Sequence, residues 1–335
     1  MKRLLLLFPL VCVMACGHQK KIPDVSNIKV NLQTIRFEKG FFSVDTNHVD
    51  GSLQKLYQQY PGFTQDFLFN ILGTAPNNDS ASKDVKLFIR SYKGMYDSAQ
   101  LIFADFAGTE KEIKQGLQRV KYYFPAYKLP EKLITFVGPI NSYGNIITQD
   151  ALGVGLQLYM GRHYSVYNSD EGKEMYPVYL SRRFEKEYIP ANCMKSIIDD
   201  MYPSHEMGRP LVEQMIELGK RLYVLDALLP ETQDSIKTGY TREQLDFCYS
   251  NEKMIWTFFT ESDLLYQADM STIGSYINDG PNTSDMGPAS PGNIGQFVGW
   301  QIVKKWMDKN DKASLVSLLK TPAKQILEEA KYKPR

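Results

Sequence analysis

Hydrophobic and polar positions change rhythm several times along this chain. The first rhythm is a block: Lys2 and Arg3 precede an apolar run from Leu4 to Met14, which closes at Ala15-Cys16-Gly17. A basic start, a short apolar stretch and a small residue at the cut are the layout of a secretory signal. The run is about half the ~20 residues that a spanning helix needs. A polar stretch over 17–27 follows, holding Pro23. Ile28, Val30 and Leu32 then alternate with Lys29, Asn31 and Gln33, and a period of two predicts a half-buried strand. Residues 52–73 and 84–104 carry helical spacing rich in aromatics. Thr109-Glu110-Lys111-Glu112 reads as a capping box opening a helix that puts Ile113, Leu117 and Val120 on one face.

The middle of the chain changes character. Leu133 to Val137, Asn145 to Thr148 and Gly153 to Tyr159 are β-rich runs separated by Gly, Asn and Asp, so they predict neighbouring strands of a small sheet. Beyond Gly161 the spacing is helical over 190–201, 210–229, 241–260, 292–308, 311–319 and 322–331. In the second of these, Leu211, Met215, Leu218, Leu222, Leu225 and Leu229 recur in steps of four and three, which predicts a core-facing stripe. Glu217 lies four residues before Arg221, the spacing of a surface ion pair. The stretch 279–293 is rich in Gly, Pro, Asn and Ser. An irregular segment of that length inside a compact domain is often functional or mobile, which makes Asp285 and Asn293 candidates for a cleft or a partner-facing surface. Ser290-Pro291 predicts an N-cap followed by a first-turn proline. In the helix after it, Gly295 and Gly299 at a spacing of four predict close approach of another backbone.

Composition narrows the class. Hydrophobic residues make up 43% and charged residues 23%, as in a soluble globular protein. A formal net charge of +1 argues against a nucleic-acid partner, which would need a concentrated positive surface. Four cysteines are present. Cys12 falls within the signal and Cys16 directly follows Ala15, the arrangement of a bacterial lipoprotein signal in which Cys16 is lipidated. An ordinary signal peptide that happens to hold two cysteines is the alternative. Cys193 and Cys248 remain, and an oxidising compartment permits either a disulfide or two buried thiols.

Catalytic motifs are scarce. His205-Glu206 begins like a zinc-protease motif, but Arg209 stands where the second histidine belongs. No Gly-x-Ser-x-Gly elbow and no phosphate-binding Gly-x-x-x-x-Gly-Lys loop occurs. Gly153-Val154-Gly155 is followed by Leu158, not the glycine of a dinucleotide fingerprint. No metal ligand set or small-molecule cofactor is expected from these residues. The 21 tyrosines would suit sugar stacking if exposed, but many sit at helical spacing beside apolar residues, as a core requires.

Ser290-Pro291-Gly292-Asn293-Ile294-Gly295-Gln296-Phe297-Val298-Gly299-Trp300 resembles the C-terminal signature of the GldB-type gliding motility lipoproteins of Bacteroidota. Met215-Ile216 with Gly219-Lys220, Tyr223 and Asp226 to Pro230 resembles a second family segment. Leu152 to Leu156 with Tyr159-Met160-Gly161 and Tyr167 resembles a third, and Arg36-Phe37-Glu38 with Phe41-Phe42 resembles the family's N-terminal start. The resemblance implies an envelope lipoprotein needed for gliding, and it places Gln296 and Asn293 in a family motif. A more distant resemblance is to zincin-type peptidases, which carry HExxH on the first helix. Here that helix reads Cys193-Met194-Lys195-Ser196-Ile197-Ile198-Asp199, and the resemblance then implies a degenerate zincin-like fold in which Glu217 marks the former third-ligand helix.

Together these readings predict an α+β chain, mostly helical, with a small β-sheet in a single domain over 28–335, a lipidated tether over 16–27 and a signal over 1–15. The expected function is a membrane-anchored, non-enzymatic component of a gliding or envelope machinery, on the periplasmic face of the outer membrane. A zincin-like envelope hydrolase and a glycan-binding lipoprotein are the alternatives.

Overall fold

The computed structural model describes residues 22–75, 78–149 and 151–334. The signal, Cys12, the lipidation candidate Cys16 and His18 lie outside the described residues. The chain runs through β1 (Gln33–Arg36), α1 (Phe37–Phe42), α2 (Val49–Gln59), α3 (Pro61–Asp66, continued by a π-turn), α4 (Asn78–Ile102) and α5 (Ala107–Tyr123). The strands β2 (Lys132–Phe136), β3 (Asn145–Ile147) and β4 (Ala151–Gly155) follow. Short helices α6 (Ser165–Asn168), α7 (Asp170–Met175) and α8 (Val178–Ser181) lead to α9 (Ile189–Met201) and α10 (Leu211–Leu228). The remainder is α11 (Asp234–Thr238), α12 (Arg242–Ser250), α13 (Glu252–Glu261), α14 (Met270–Ile277), α15 (Ile294–Lys309), α16 (Leu315–Lys320) and α17 (Ala323–Ala330). The architecture is the mostly helical α+β class expected, and one continuous apolar cluster extends from Val30 to Ala330.

The four strands are ordered β1-β2-β4-β3, with β1, β2 and β4 parallel and β3 antiparallel at the edge. Strand β4 is buried along its whole length, as a strand covered on both faces should be. It ends at Gly155, earlier than the apolar run suggests, because Leu156–Leu158 turn into a 3-10 helix. The alternation at 28–32 is present in burial, with Val30 buried and Lys29 and Asn31 exposed. It is not a strand, however: pairing begins only at Gln33, whose N–H donates to the Glu131 carbonyl at 2.9 Å. Side chains of α5 satisfy the preceding backbone instead, Gln118 donating to the Ile28 carbonyl at 2.8 Å and Lys121 to that of Lys29 at 3.4 Å.

The Arg36-Phe37-Glu38 segment has a structural explanation. Arg36 Nε donates to Glu38 Oε1 at 2.6 Å, Thr135 Oγ1 donates to Glu38 Oε2 at 2.7 Å, and Arg36 Nη1 donates to the Phe103 carbonyl at 2.8 Å. A buried carboxylate is thereby paired and hydrogen-bonded, the condition for tolerating it in a core. Phe37 lies between them in an aromatic cluster with Phe41, Phe63 and Phe67.

Three predicted helix starts and stops are displaced. Helix α5 begins at Ala107, before Thr109, and the Asp105 carboxylate accepts from the Ala107 N–H at 2.9 Å, so Thr109 lies in the first turn and caps nothing. Helix α15 begins at Ile294 after Asn293, whose φ of 54° is a left-handed value that asparagine tolerates better than most residues. Ser290 is not its cap, because its hydroxyl braces the preceding loop, donating to the Thr283 carbonyl at 3.0 Å. The helical stretch 241–260 is two helices that break at Asn251, and a true capping box opens the first, between Thr241 and Gln244.

The most extensive helix contact joins α10 and α15. A Cβ on Gly299 would lie 1.6 Å from the Met215 carbonyl oxygen, and one on Gly219 would lie 2.1 Å from the Gly299 carbonyl carbon. A Cβ on Gly295 would lie 2.8 Å from the Tyr276 carbonyl oxygen. The two helices therefore cross with backbone against backbone, as the Gly295/Gly299 spacing predicts. Both are buried nearly all round: Met215, Ile216, Leu225, Leu228, Phe297, Val298, Trp300 and Val303 all lie inside. The stripe on α10 is core-facing apart from Leu218, which is half-buried.

Substituting alanine at Gly299 must displace backbone, not a flexible side-chain end, so the expected loss is about 3 kcal/mol or more in urea unfolding. Gly94, in the middle of α4 with nothing within 4 Å of a built Cβ, is the control. Gly94→Ala should be neutral to stabilising by up to about 1 kcal/mol. Equal effects at the two positions would contradict the packing described.

Candidate functional site

Helix α9 packs against α5, α10 and the edge strand β3. Its buried face holds Ala191, Cys193, Met194, Ile197 and Ile198. That leaves Asn192, Lys195 and Asp199 in a row at spacings of three and four, on the side away from the core. Lys195 lines two adjoining chambers. The smaller, about 340 Å³, is walled by Leu158, Tyr159, Leu180, Phe184 and Tyr188 and reaches Asn145 on β3. The larger, about 530 Å³, is walled by Ile198, Leu218, Leu222 and Leu225 and carries the polar groups of Asp199, Glu206, Arg221 and Gln296.

Fixed hydrogen bonds set the polar groups. Asn192 Nδ2 donates to the Tyr159 hydroxyl at 2.9 Å, that hydroxyl donates to Asn145 Oδ1, and Asn145 Nδ2 donates to Cys193 Sγ at 3.4 Å. Arg183 Nη2 donates to Asp279 Oδ2 at 2.7 Å, which ties the smaller chamber to the start of the 279–293 loop. Across the larger chamber, Arg221 Nη1 donates to Asp199 Oδ1 at 2.7 Å and to the Tyr202 carbonyl at 2.9 Å. Its Nη2 reaches Glu206 Oε1 at 3.4 Å. Burial works against ionised Glu206, but the Ser204 hydrogen bond and the Arg221 charge outweigh it and hold the carboxyl below its ordinary value. Asp199 moves the other way: burial raises it, despite Arg221 and Lys195 nearby.

The profile of the family described as "Gliding motility protein GldB" matches residues 18–334. The chain belongs to this family. No curated protein and no solved structure matches it. Membership makes this a gliding-motility lipoprotein by family and connects it with the gliding machinery. Among the described residues no helix is long and apolar enough to cross a membrane.

Three of the four segments that carry the GldB resemblance contribute to the cleft. Tyr159 comes from the third segment, Leu218, Leu222 and Leu225 from the helix that carries the second, and Gln296 from the C-terminal one. Gln296 is buried, and its Nε2 donates to the Thr238 carbonyl at 3.0 Å. The other candidates hold structure. Asp285 accepts from the Tyr276 hydroxyl at 2.7 Å and pins a 3-10 turn to α14. Asn293 adopts the left-handed turn before α15, and its carbonyl accepts from the Tyr240 hydroxyl at 2.7 Å. Glu217 is not the surface partner of Arg221. It is 4% exposed, and its Oε1 accepts from Lys220 Nζ at 2.7 Å, while the same ammonium donates to the Thr321 carbonyl at 2.7 Å. Arg221 turns to Asp199 and Glu206 because the crossing with α15 buries the Glu217 side of α10.

Cys193 and Cys248 are both buried free thiols, and burial raises both above the ordinary thiol range, which suppresses the nucleophilic thiolate. A zincin centre would need three converging imidazole or carboxylate donors. On α9 the cleft is lined by an amide, an ammonium and the arginine-paired Asp199. Arg209 pairs with Glu213 at 3.9 Å, and no group of three His, Cys, Asp or Glu able to hold a metal ion is present among the described residues. The donor set does not fit a zinc centre. The aromatic side chains are mostly internal, with Trp300 and Trp306 buried; the exposed Tyr122, Tyr143, Tyr249 and Tyr266 belong to four separate segments.

Sequence reasoning missed Lys195 as a site residue. The available signal was a lone cation at the centre of an apolar helical stretch, whose importance depends on the cleft that forms beside it. Burial first, and Arg183 second, lower its pKa from an ordinary 10.5 to about 8, against the opposing pull of Asp279 and Asp199. Amine labelling across a pH series should therefore give Lys195 a midpoint near 8. A midpoint above 10 for Lys195 would contradict the desolvated setting.

Proposed function

We propose that this GldB-family chain is a non-enzymatic lipoprotein, anchored through Cys16 on the periplasmic face of the outer membrane, that supports the gliding or envelope machinery by binding. The observation that carries the reading is the composition of the Lys195 cleft. Apart from the unpartnered Lys195 ammonium, its groups are held in fixed hydrogen bonds and ion pairs, the Glu206 carboxyl is held below its ordinary value and so is a weak base, and no metal donor set is present among the described residues. Catalysis by acid–base or covalent steps needs a poised base beside a nucleophile or a polarised water. The cleft offers shape, an ammonium and amide groups, which suit recognition.

The anchor supports the same reading. The short polar segment after Cys16 contains Lys20 and Lys21 and no acidic residue before Asp24, which favours retention on the periplasmic side over export to the cell surface. A domain joined to lipid by so short a segment works within a few nanometres of the bilayer, where an envelope assembly would meet it.

The test is Cys16→Ala in a gliding host. The variant should fold, leave the membrane fraction and fail to support gliding. Normal movement with the untethered variant would contradict the proposal. Stoichiometric zinc in the purified protein, lost on replacing His205 or Glu217 with alanine, would instead support the hydrolase reading.

A further inference from the structure

We propose that the cleft on both sides of Lys195 binds a monocarboxylate bearing an apolar group, the Lys195 ammonium meeting the carboxylate and the aromatic wall of the smaller chamber receiving the apolar part. The inference stands on the cleft alone and does not depend on the lipid anchor.

The ammonium is the starting point. Lys195 is half-buried, and none of its three N–H donors has a hydrogen bond or an ion pair within 4 Å among the described residues. The nearby carboxylates do not serve it. Asp279 is engaged by Arg183 at 2.7 Å, and Asp199 by Arg221 at 2.7 Å. An ammonium withdrawn from water without an acceptor is costly, and a bound anion is the group that would satisfy it. Other buried lysines of this chain differ in this respect. Lys220 has Glu217 and a carbonyl, and Lys237 has Asp226 and Asp234.

Charge and shape select the anion. Asp279, Asp199 and Glu206 line the two chambers and are already paired with Arg183 and Arg221, so a dianion such as phosphate would bring a second negative charge that no uncommitted cation meets. A monocarboxylate would match that one cation. The wall beside it is apolar, formed by Leu158, Leu180, Phe184 and Tyr188, and the chamber of about 340 Å³ suits one branched or linear hydrocarbon group. Two sources share this chemistry: the C-terminal carboxylate of a peptide ending in an apolar residue, and a free acyl carboxylate.

Calorimetric titration of the purified mature protein separates them. The probes are acetyl-Ala-Ala-Leu as the free acid, the same peptide as its C-terminal amide, and dodecanoate. Binding of the free acid, weakened at least about tenfold by amidation and by Lys195→Met, supports the proposal with a peptide source. Lys195-dependent binding of dodecanoate alone supports it with an acyl source. If Lys195→Met fails to fold, protection of Lys195 from amine labelling by the acid, in the unsubstituted protein, gives the same reading. No binding of either acid at millimolar concentration, or binding indifferent to amidation and to Lys195, would overturn it.

Discussion

The structure depends on one steric fact: at Gly219 and Gly299, α10 and α15 cross backbone against backbone. Glycines at 219 and 299 let the Met215 carbonyl and the Gly299 peptide sit where any Cβ would collide. That proximity buries both helices almost completely and so dictates what each may carry. Glu217, on the buried side of α10, must be neutralised internally, and Lys220 does so while also capping the Thr321 carbonyl. Arg221, one helical turn after Glu217, is left at the edge of the crossing and turns to Asp199 and Glu206. The larger chamber beside α9 is a by-product of this division, with Leu218, Leu222 and Leu225 on one side and Gln296 at its margin.

The cleft then inherits its chemistry from what α9 cannot bury. An apolar face over α5, α10 and β3 leaves Asn192, Lys195 and Asp199 in a row. The arginines from α10 and from the chain after α8 engage the carboxylates, and the Asn145–Tyr159–Asn192 chain uses its own donors and acceptors. What remains without an internal partner is an ammonium in a half-dry wall. A cleft with settled dipoles and one unspent cation suits the recognition proposed above.

Much of the fold was legible in the sequence because periodicity reports burial directly. The stripe on α10, the three central strands and the Gly295/Gly299 spacing each mean the same thing in any context. The errors have a common physical origin. Caps and strand ends depend on hydrogen-bond partners that are distant in sequence: Gln118 and Lys121 take the backbone that alternation assigned to a strand, Asp105 displaces Thr109, and Ser290 braces its loop instead of a helix. The site was less legible for the same reason. Glu217 and Arg221 have ideal spacing for each other, but crossing helices send them to different partners. Lys195 has only the faint local signature of a lone cation in an apolar helical stretch, since its setting is made by α8, β3 and α10 together.

The most direct test of this account is native-state hydrogen exchange on the folded protein. If the glycine crossing is the structural keystone, amides of α10 and α15 around Gly219 and Gly299 should exchange only by global unfolding, and should be among the slowest in the molecule. The short helices α6 to α8 should open first. If instead the four-stranded sheet remains protected while α10 and α15 exchange together through a smaller opening, the crossing is not what the structure depends on.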